Sequence, residues 1–381
     1  MLPKNHNMKI LQVCGGPSWG GIEMQTVNIS LELKNAGHRV VIFCSANSHI
    51  AQKSLESGIE FQTGLFNTKK SLRASYGRAK IILKSFNPDI IHVQRSHDLS
   101  VIVAALRITG NKTPLVFTRR MESRLKKKSL VHRWIYNRVD KAWGVSSFVR
   151  DNFLATSPMK SEKVGVMNNG IDLTVFDPAK FDKAEMRLKY SLPADALIIG
   201  MTGRISPMKG HADFIRSAAE LSKDMKKNLH FVMAGGASVG EEAFATEIYK
   251  LASALLSKDS YTFIEQQSNL AGLLSALDLY VFPSHRESFG NVLLEAMAMQ
   301  LPIIAVNAGG VNDMISCGKN AICVDPQQPK AIYKAMKILI ENPEYASEIA
   351  FAAFARAQCF SRKSFLENLL KEYKTVIGNT L

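Results

Sequence analysis

The chain has 381 residues, 46% of them hydrophobic and 21% charged. At roughly 100–200 residues per domain this length predicts two domains with a core each, and the ordinary composition excludes a disordered or fibrous chain. Lysine and arginine number 27 against 12 aspartates and glutamates through Lys180, and 21 against 21 beyond it, so the whole positive excess lies in the first half and points to an anionic partner.

Apolar runs such as 196–201 and 301–306 fall far short of the ~20 residues of a membrane span. The polar start MLPKNHN precedes no apolar export segment, so a cytoplasmic protein is expected. Cys14, Cys44, Cys317, Cys323 and Cys359 are odd in number and form no CxxC pair, which favours buried reduced thiols over a disulfide framework or a zinc site.

In chain order, MKILQVC, a glycine-rich turn, IEMQTVNISLELKNAG and RVVIFC predict a strand, loop, helix and strand, the βαβ order of a parallel sheet. DIIHVQ, PLVFTR and KAWGVS continue the strands, each followed by helical periodicity. Between the last two lies TRRMESRLKKKSLVHRWIYNRVDKAW, with nine cations among Leu125, Leu130, Trp134, Ile135 and Tyr136. It reads equally as an interfacial helix on anionic lipid or as a solvated helix with ordinary core contacts. Turn formers cluster from Asn168 to Asp182 and mark a linker. The alternation restarts with ALIIGMTGR, HFVMAGG, YTFIEQ, LYVFPS, PIIAVN and AICVDP, and a helix is expected over 364–377. The expected architecture is α/β, two doubly wound parallel sheets, with domains at 1–180 and 181–362 and the terminal segment 363–381 free to pack back on the first. Ligands are expected at the carboxyl ends of the strands and in the cleft between domains.

Two loops carry candidate chemistry. MTGRISPMKG places Gly203, Arg204, Lys209 and Gly210 after a strand, where an arginine and a lysine could clamp a diphosphate; basic strand-to-helix loops without that role are common. SHRESFGNVLLEAMAMQLP starts a helix near Gly290 or Asn291, so the amides of Phe289, Gly290 and Asn291 would form an anion site. Glu287 and Glu295 beside it suit sugar hydroxyls better than phosphate, or equally a dipole-stabilised loop charge and a solvated helix residue.

Taken together, Glu287 and Glu295 seven residues apart inside, EAMA from Glu295, GR and KG at Arg204 and Lys209, NNGIDLTVF, GGIE at Gly20–Glu23 and the pair Gly309, Gly310 make the chain resemble a family 4 glycosyltransferase of GT-B fold, of the kind acting in bacterial cell-surface glycan or lipopolysaccharide synthesis. The resemblance implies two Rossmann-like domains facing a central cleft. It implies a nucleotide sugar held mainly by the second: Arg204 and Lys209 on the diphosphate, Glu295 on the ribose, Glu287 on the sugar, and Phe289, Gly290 and Asn291 through their amides. The base would lie near Ile264 to Gln266, where the family usually has glycine in place of Glu265, while Gly20 and Gly21 of the first domain would approach donor phosphate or acceptor. It also implies retention of anomeric configuration and no divalent metal, in keeping with the lack of any Asp-x-Asp sequence; the paired cations could stabilise the departing diphosphate instead.

One departure stands at Arg120, which occupies the position after PLVFT where many relatives have histidine. Arginine keeps its proton and cannot act as a base, so Arg119 or Arg120 is expected to meet an acceptor phosphate or carboxylate, to stabilise departing charge, or to pair with a carboxylate of the chain. His92 and His97 either line the acceptor pocket or are structural. The expected catalytic set is Arg204, Lys209, Glu287 and Arg120, with no bound cofactor.

The combined expectation is a metal-independent hexosyltransferase acting from a nucleotide sugar, UDP ahead of GDP, on an anionic or lipid-linked glycan acceptor. Such a protein would lie peripherally on an anionic membrane, the inner face of the plasma membrane, and would bind no nucleic acid. The alternatives are a GDP-mannose-dependent transferase, an epimerase or disaccharide synthase with soluble substrates, and a nucleic-acid-binding protein using the basic half. A nicotinamide oxidoreductase fits worse, because GGPSWGG lacks G-x-G-x-x-G spacing and no acid closes RVVIFC.

Overall fold

The computed structural model describes residues 7–17, 19–66, 69–237, 240–265 and 269–379, the side chains of 69–73 excepted. It divides into two compact units, Met1–Asn168 with Lys363–Leu381, and Asn169–Arg362.

The first unit carries β1 (Lys9–Cys14), β2 (Arg39–Ser45), β3 (Glu60–Gly64), β4 (Ile90–Val93), β5 (Leu115–Arg119), β6 (Lys141–Gly144) and β7 (Val164–Val166). All pair in parallel in the order β3-β2-β1-β4-β5-β6-β7. Successive side chains alternate between faces. Leu11, Val13, Val41, Ile91, Val93, Leu115 and Phe117 enter one core, and Ile10, Val40, Ile90 and Val116 enter another with Trp143. Both faces of the inner strands are covered, which is why those strands are predominantly apolar, with Gln12, His92 and Thr118 as polar interruptions. The helix Arg362–Gly378 closes the second of these cores with Leu369, Tyr373 and Val376, each apolar body contributing on the order of 2 kcal/mol.

The second unit carries β8 (Leu197–Thr202), β9 (Leu229–Ala234), β10 (Tyr261–Ile264), β11 (Leu279–Phe282), β12 (Ile303–Val306) and β13 (Ile322–Val324), parallel in the order β10-β9-β8-β11-β12-β13. Ile199, Met201, Phe231, Met233, Val281 and Ile304 pack against the helices His211–Asp224 and Pro329–Glu341. In each sheet the strand order reverses once, between β1 and β4 and between β8 and β11. Loops diverge there at the carboxyl ends and leave a crevice.

Several sequence expectations change. β3 and β7 add to the expected strands: EFQTG is a half-exposed edge without an apolar run, and VGV spans three residues. The boundary expected at Lys180 moves to Asn168, because Ile171 N–H donates to the Phe360 carbonyl (2.8 Å), Arg362 N–H donates to that of Ile171 (2.8 Å), and Arg362 pairs with Asp172 (2.9 Å). These bonds fasten the expected linker to the second unit. Cys317 and Cys323 form a disulfide, against the expectation of five free thiols. The turn in which Gly318 N–H donates to the Ala321 carbonyl (2.9 Å) brings together two cysteines whose spacing gives no motif. Cys14 and Cys44 are buried and free, and Cys359 is free but exposed. The basic stretch is helical only over Leu130–Tyr136, its crowded cations lying in the preceding loop. No described helix is long and apolar enough to cross a membrane.

A chain of polar groups runs through the first core. Gln94 Nε2 donates to Gln12 Oε1 (2.9 Å), Gln12 Nε2 donates to the Tyr373 hydroxyl (3.3 Å), and that hydroxyl also meets His92 Nδ1 (2.6 Å), whose Nε2 meets Thr118 Oγ1 (2.7 Å). His92 is therefore buried in the core and joins sheet to terminal helix; of the two readings open for it, the structural one holds and the acceptor-pocket one does not. Burial holds its pKa well below the ordinary histidine value, with Arg120 adding to the effect. Tyr373→Phe leaves Gln12 and His92 without this partner and should lower stability by about 1–3 kcal/mol in urea denaturation. An unchanged midpoint would show that packing alone holds the helix.

Candidate functional site

The second unit's crevice is built from the loops after β8 and β11. Gly210 adopts φ +75°, and a Cβ there would lie 2.0 Å from the Pro283 carbonyl oxygen, so only glycine lets the two loops touch. His285 N–H donates to the Met208 carbonyl (2.9 Å), and His285 Nε2 donates to Asp213 Oδ2 (2.6 Å). A third loop joins at Gly309 (φ +70°), where a Cβ would lie 2.3 Å from the Glu287 carbonyl oxygen, which accepts from Gly310 N–H (2.8 Å).

Within this frame Lys209 Nζ donates to Glu287 Oε1. The pair is largely shielded, with side-chain exposures of 22% and 13%. The structure thus joins two residues that the sequence assigns separately, one to phosphate and one to sugar. Arg204 is exposed in the same loop, next to Gly203. The helix Asn291–Ala298 begins after Gly290. Phe289 is buried against Phe360, ring centroids 6.1 Å apart, and Asn291 Oδ1 accepts from Asn169 Nδ2 (3.0 Å). Glu295 lies on this helix, partly exposed as a residue but with Oε2 shut off from solvent and without a hydrogen-bond partner. Burial pushes its pKa up to about 7. Beneath it the fully buried Tyr280 shares a hydrogen bond with Thr202 Oγ1 (2.7 Å), and burial aided by Glu295 raises the phenol.

Sequence reasoning missed His211, Asp213 and His285. His211 opens the helix after Lys209 and is buried, and neither ring nitrogen has a hydrogen-bond partner although the Gly203 backbone lies beside it. Burial, then Lys209, brings its pKa down to about 4. The available signal was the run K-G-H-x-D after the strand. Ile264 ends β10 as a buried residue whose carbonyl accepts from Gly235 N–H (2.8 Å); Gln266, the other expected base contact, lies outside the described residues.

In the first unit the crevice is lined after β4 by Gln94, Arg95, Ser96 and His97, and at and beyond the end of β5 by Arg119, Arg120, Met121 and Glu122, around a pocket of about 230 Å³. Gly20 caps the helix Gly21–Asn35, and a Cβ on Gly21 would meet open space. Arg120 is buried, and its Nε and one terminal nitrogen both donate to Gln94 Oε1 (3.0 and 2.8 Å). Burial lowers its pKa to about 10, with Cys14, Tyr373 and Glu23 opposing, so it is cationic at neutral pH. Buried Asp98 accepts from Gly15 N–H (2.7 Å), and burial lifts it to about 6 against that bond and Arg95. His97 is exposed on the pocket wall.

The raised Glu295 fixes a pH dependence. The folded state holds this proton up to about pH 7 and the unfolded chain releases it near 4.5, so stability is lost as pH rises between those values. Glu295→Gln, which cannot ionise, should be more stable than the parent at pH 8 by on the order of 2 kcal/mol and nearly equal to it at pH 4.5. Parallel melting curves across that range test it; a pH-independent difference would refute it.

The family model described as glycosyl transferases group 1 matches residues 182–356, and that of glycosyltransferase family 4 matches 19–175. A D-inositol 3-phosphate glycosyltransferase of Rhodococcus jostii is 31% identical over 220 residues, 57% of this chain and 48% of the relative. The chain spans about half the length of the first curated relatives it matches. A crystal structure of a glycosyltransferase from Rickettsia africae has a TM-score of 0.85 at 22% identity, covering 98% of this chain and all of that one. Anabaena HepE, crystallised with UDP, has a TM-score of 0.83 at 20% identity, covering 97% and 100%. These two likenesses establish the fold, GT-B with two Rossmann-like units. Matched by both family models in succession, the chain belongs to family 4 of the glycosyltransferases.

Proposed function

We propose that the protein transfers a hexose, with retention, from a nucleotide sugar, UDP-sugar in first place, to an anionic or lipid-linked acceptor in lipopolysaccharide or other cell-surface glycan synthesis. The observation that carries the reading is Glu295 Oε2: a carboxyl oxygen withdrawn from water and left without a hydrogen-bond partner, on the helix that opens at the mouth of the β8/β11 crevice. An unsatisfied acceptor of this kind costs about 1–3 kcal/mol and is relieved by ligand hydroxyls, as a ribose would supply.

The neighbouring residues suit the rest of the donor. Lys209 and Arg204 bring two cations to the loop where a diphosphate would lie, and the Phe289, Gly290 and Asn291 amides open a helix of the same crevice. Charge building on the leaving diphosphate is then met by fixed cations, the role a magnesium ion plays elsewhere. Glu287, once Lys209 turns to phosphate, offers both oxygens to sugar hydroxyls. UDP should raise the melting temperature, roughly 2.7 kcal/mol of stabilisation at a hundredfold excess over Kd, and Glu295→Ala should remove most of the gain. No shift with either UDP or GDP at millimolar concentration would end the donor assignment.

For the acceptor side, Met121, Leu125, Leu130, Val131 and Trp134 are exposed at 43–83% among the exposed cations Arg124, Lys126, Lys128 and Arg133. Apolar side chains that enter the lipid interface, ringed by cations that meet its headgroups, suit an anionic bilayer. Vesicles rich in phosphatidylglycerol should sediment the protein, and Lys126→Glu with Lys128→Glu and Trp134→Ser should abolish this while the UDP shift persists. Equal sedimentation of the variant would remove the membrane claim alone.

A further inference from the structure

We propose that the first unit holds a phosphomonoester site at the carboxyl ends of β4 and β5, formed by Arg119 and Lys127 about Ser96, with Arg95 and Arg120 on its margin, and that this site reads the acceptor. The acceptor role rests on the transfer reading above; the site itself stands on the geometry of the first unit.

Three observations lead here. Arg119 NH1 and Lys127 Nζ both donate to Ser96 Oγ, at 2.9 and 3.1 Å, so two cations converge on a single neutral oxygen. Among the described residues neither makes an ion pair with a carboxylate, and Arg119 Nε is buried without a hydrogen-bond partner. Like charges gathered without a counterion repel and lose hydration. Burial lowers the pKa of both, and Arg119 lowers that of Lys127 further. Beside them lies the pocket of about 230 Å³, with Arg95, Arg119 and Arg120 against Glu122 on its wall and Ile22, Phe117 and Met121 as apolar surface.

A dianion with three equivalent oxygens suits this arrangement. It can take charge-assisted bonds from Arg119 and Lys127 together, replacing the shared serine hydroxyl, and still accept from Arg95. A carboxylate brings one negative charge and two oxygens and satisfies less of the cluster. The pocket volume suits one small sugar, and the apolar wall suits a ring face; a nucleic-acid strand would need a groove. Arg120 is held by Gln94 and, through Gln12 and Tyr373, by the terminal helix, so the margin of the site is fixed by the core.

The test titrates glucose 6-phosphate, glucuronate and glucose calorimetrically into the protein saturated with UDP, which keeps phosphate out of the Lys209 crevice. Glucose 6-phosphate should bind, glucuronate more weakly, and glucose not measurably. Arg119→Gln with Lys127→Gln should weaken glucose 6-phosphate by about tenfold or more, the charge-preserving Arg119→Lys with Lys127→Arg should recover much of that loss, and the UDP melting shift should be the same in all. Equal affinity in parent and glutamine variant, glucuronate binding as tightly as the phosphate, or no heat on the order of 10 mM would each overturn the proposal. Vesicles containing phosphatidic acid separate the two sources of a monoester: competition with glucose 6-phosphate places it on a lipid, and its lack places it on a soluble sugar. If UDP gives no shift while phosphate binding still depends on Arg119 and Lys127, the donor reading falls and this site remains.

Discussion

A parallel strand covered on both faces has no room for a reactive side chain except where it ends. That constraint shapes both units. The apolar runs that make β1, β4, β5, β8 and β11 foldable also expel chemistry to their carboxyl ends, and the reversal of strand order beside β1 and β8 spreads the loops there. Arg204, Lys209 and Glu287 in the second unit lie in the loops that follow such ends, Arg119 and Arg120 lie at one in the first, and Glu295 lies on the helix after β11. The loops in turn are held by backbone contacts: Gly210 against Pro283, Gly309 against Glu287, and the bond from His285 N–H to Met208.

The polar chain from Gln94 to Thr118 is the exception that crosses the core, and it is tolerated because its members supply each other's partners. Its effect reaches the pocket. Gln94 belongs both to that chain and to the pocket wall, where it holds two nitrogens of Arg120 on one oxygen. The terminal helix, last in sequence, therefore helps fix the margin of a site formed near the end of β5.

The sequence made the strands of both sheets legible where apolar residues dominate a short segment, as in KILQVC, RVVIFC, LIIGMT and LYVF. It failed at Glu60–Gly64 and Val164–Val166, where an exposed edge and a three-residue strand leave no such run. Loop motifs placed Arg204, Lys209 and Glu287 in loops after strands, the helix start at Asn291 and Glu295 one turn into that helix, as the structure has them. What the residues did not disclose is who touches whom. The pairing of Lys209 with Glu287, 78 positions apart, and of His285 with Asp213, 72 apart, follows from strand register and loop packing, which no local spacing encodes. His92 shows the converse. A histidine beside a strand end looks available in the sequence, yet it faces the sheet's interior and is consumed by Thr118 and Tyr373.

The pairing of Lys209 with Glu287 also keeps two withdrawn charges from being costly. A lone ammonium or carboxylate withdrawn from water loses hydration, whereas together each compensates the other, so the shielded pair contributes little net stability. On the proposed reading a diphosphate brings more negative charge than Glu287 and draws Lys209 away, an exchange of one anionic partner for another at small net cost. The released carboxylate would then need donors, and the hydroxyls of the attached sugar are what the same ligand supplies. On that reading a bare diphosphate would free Glu287 without satisfying it, and the carboxylate left unpaired would set nucleotide sugar apart from nucleotide.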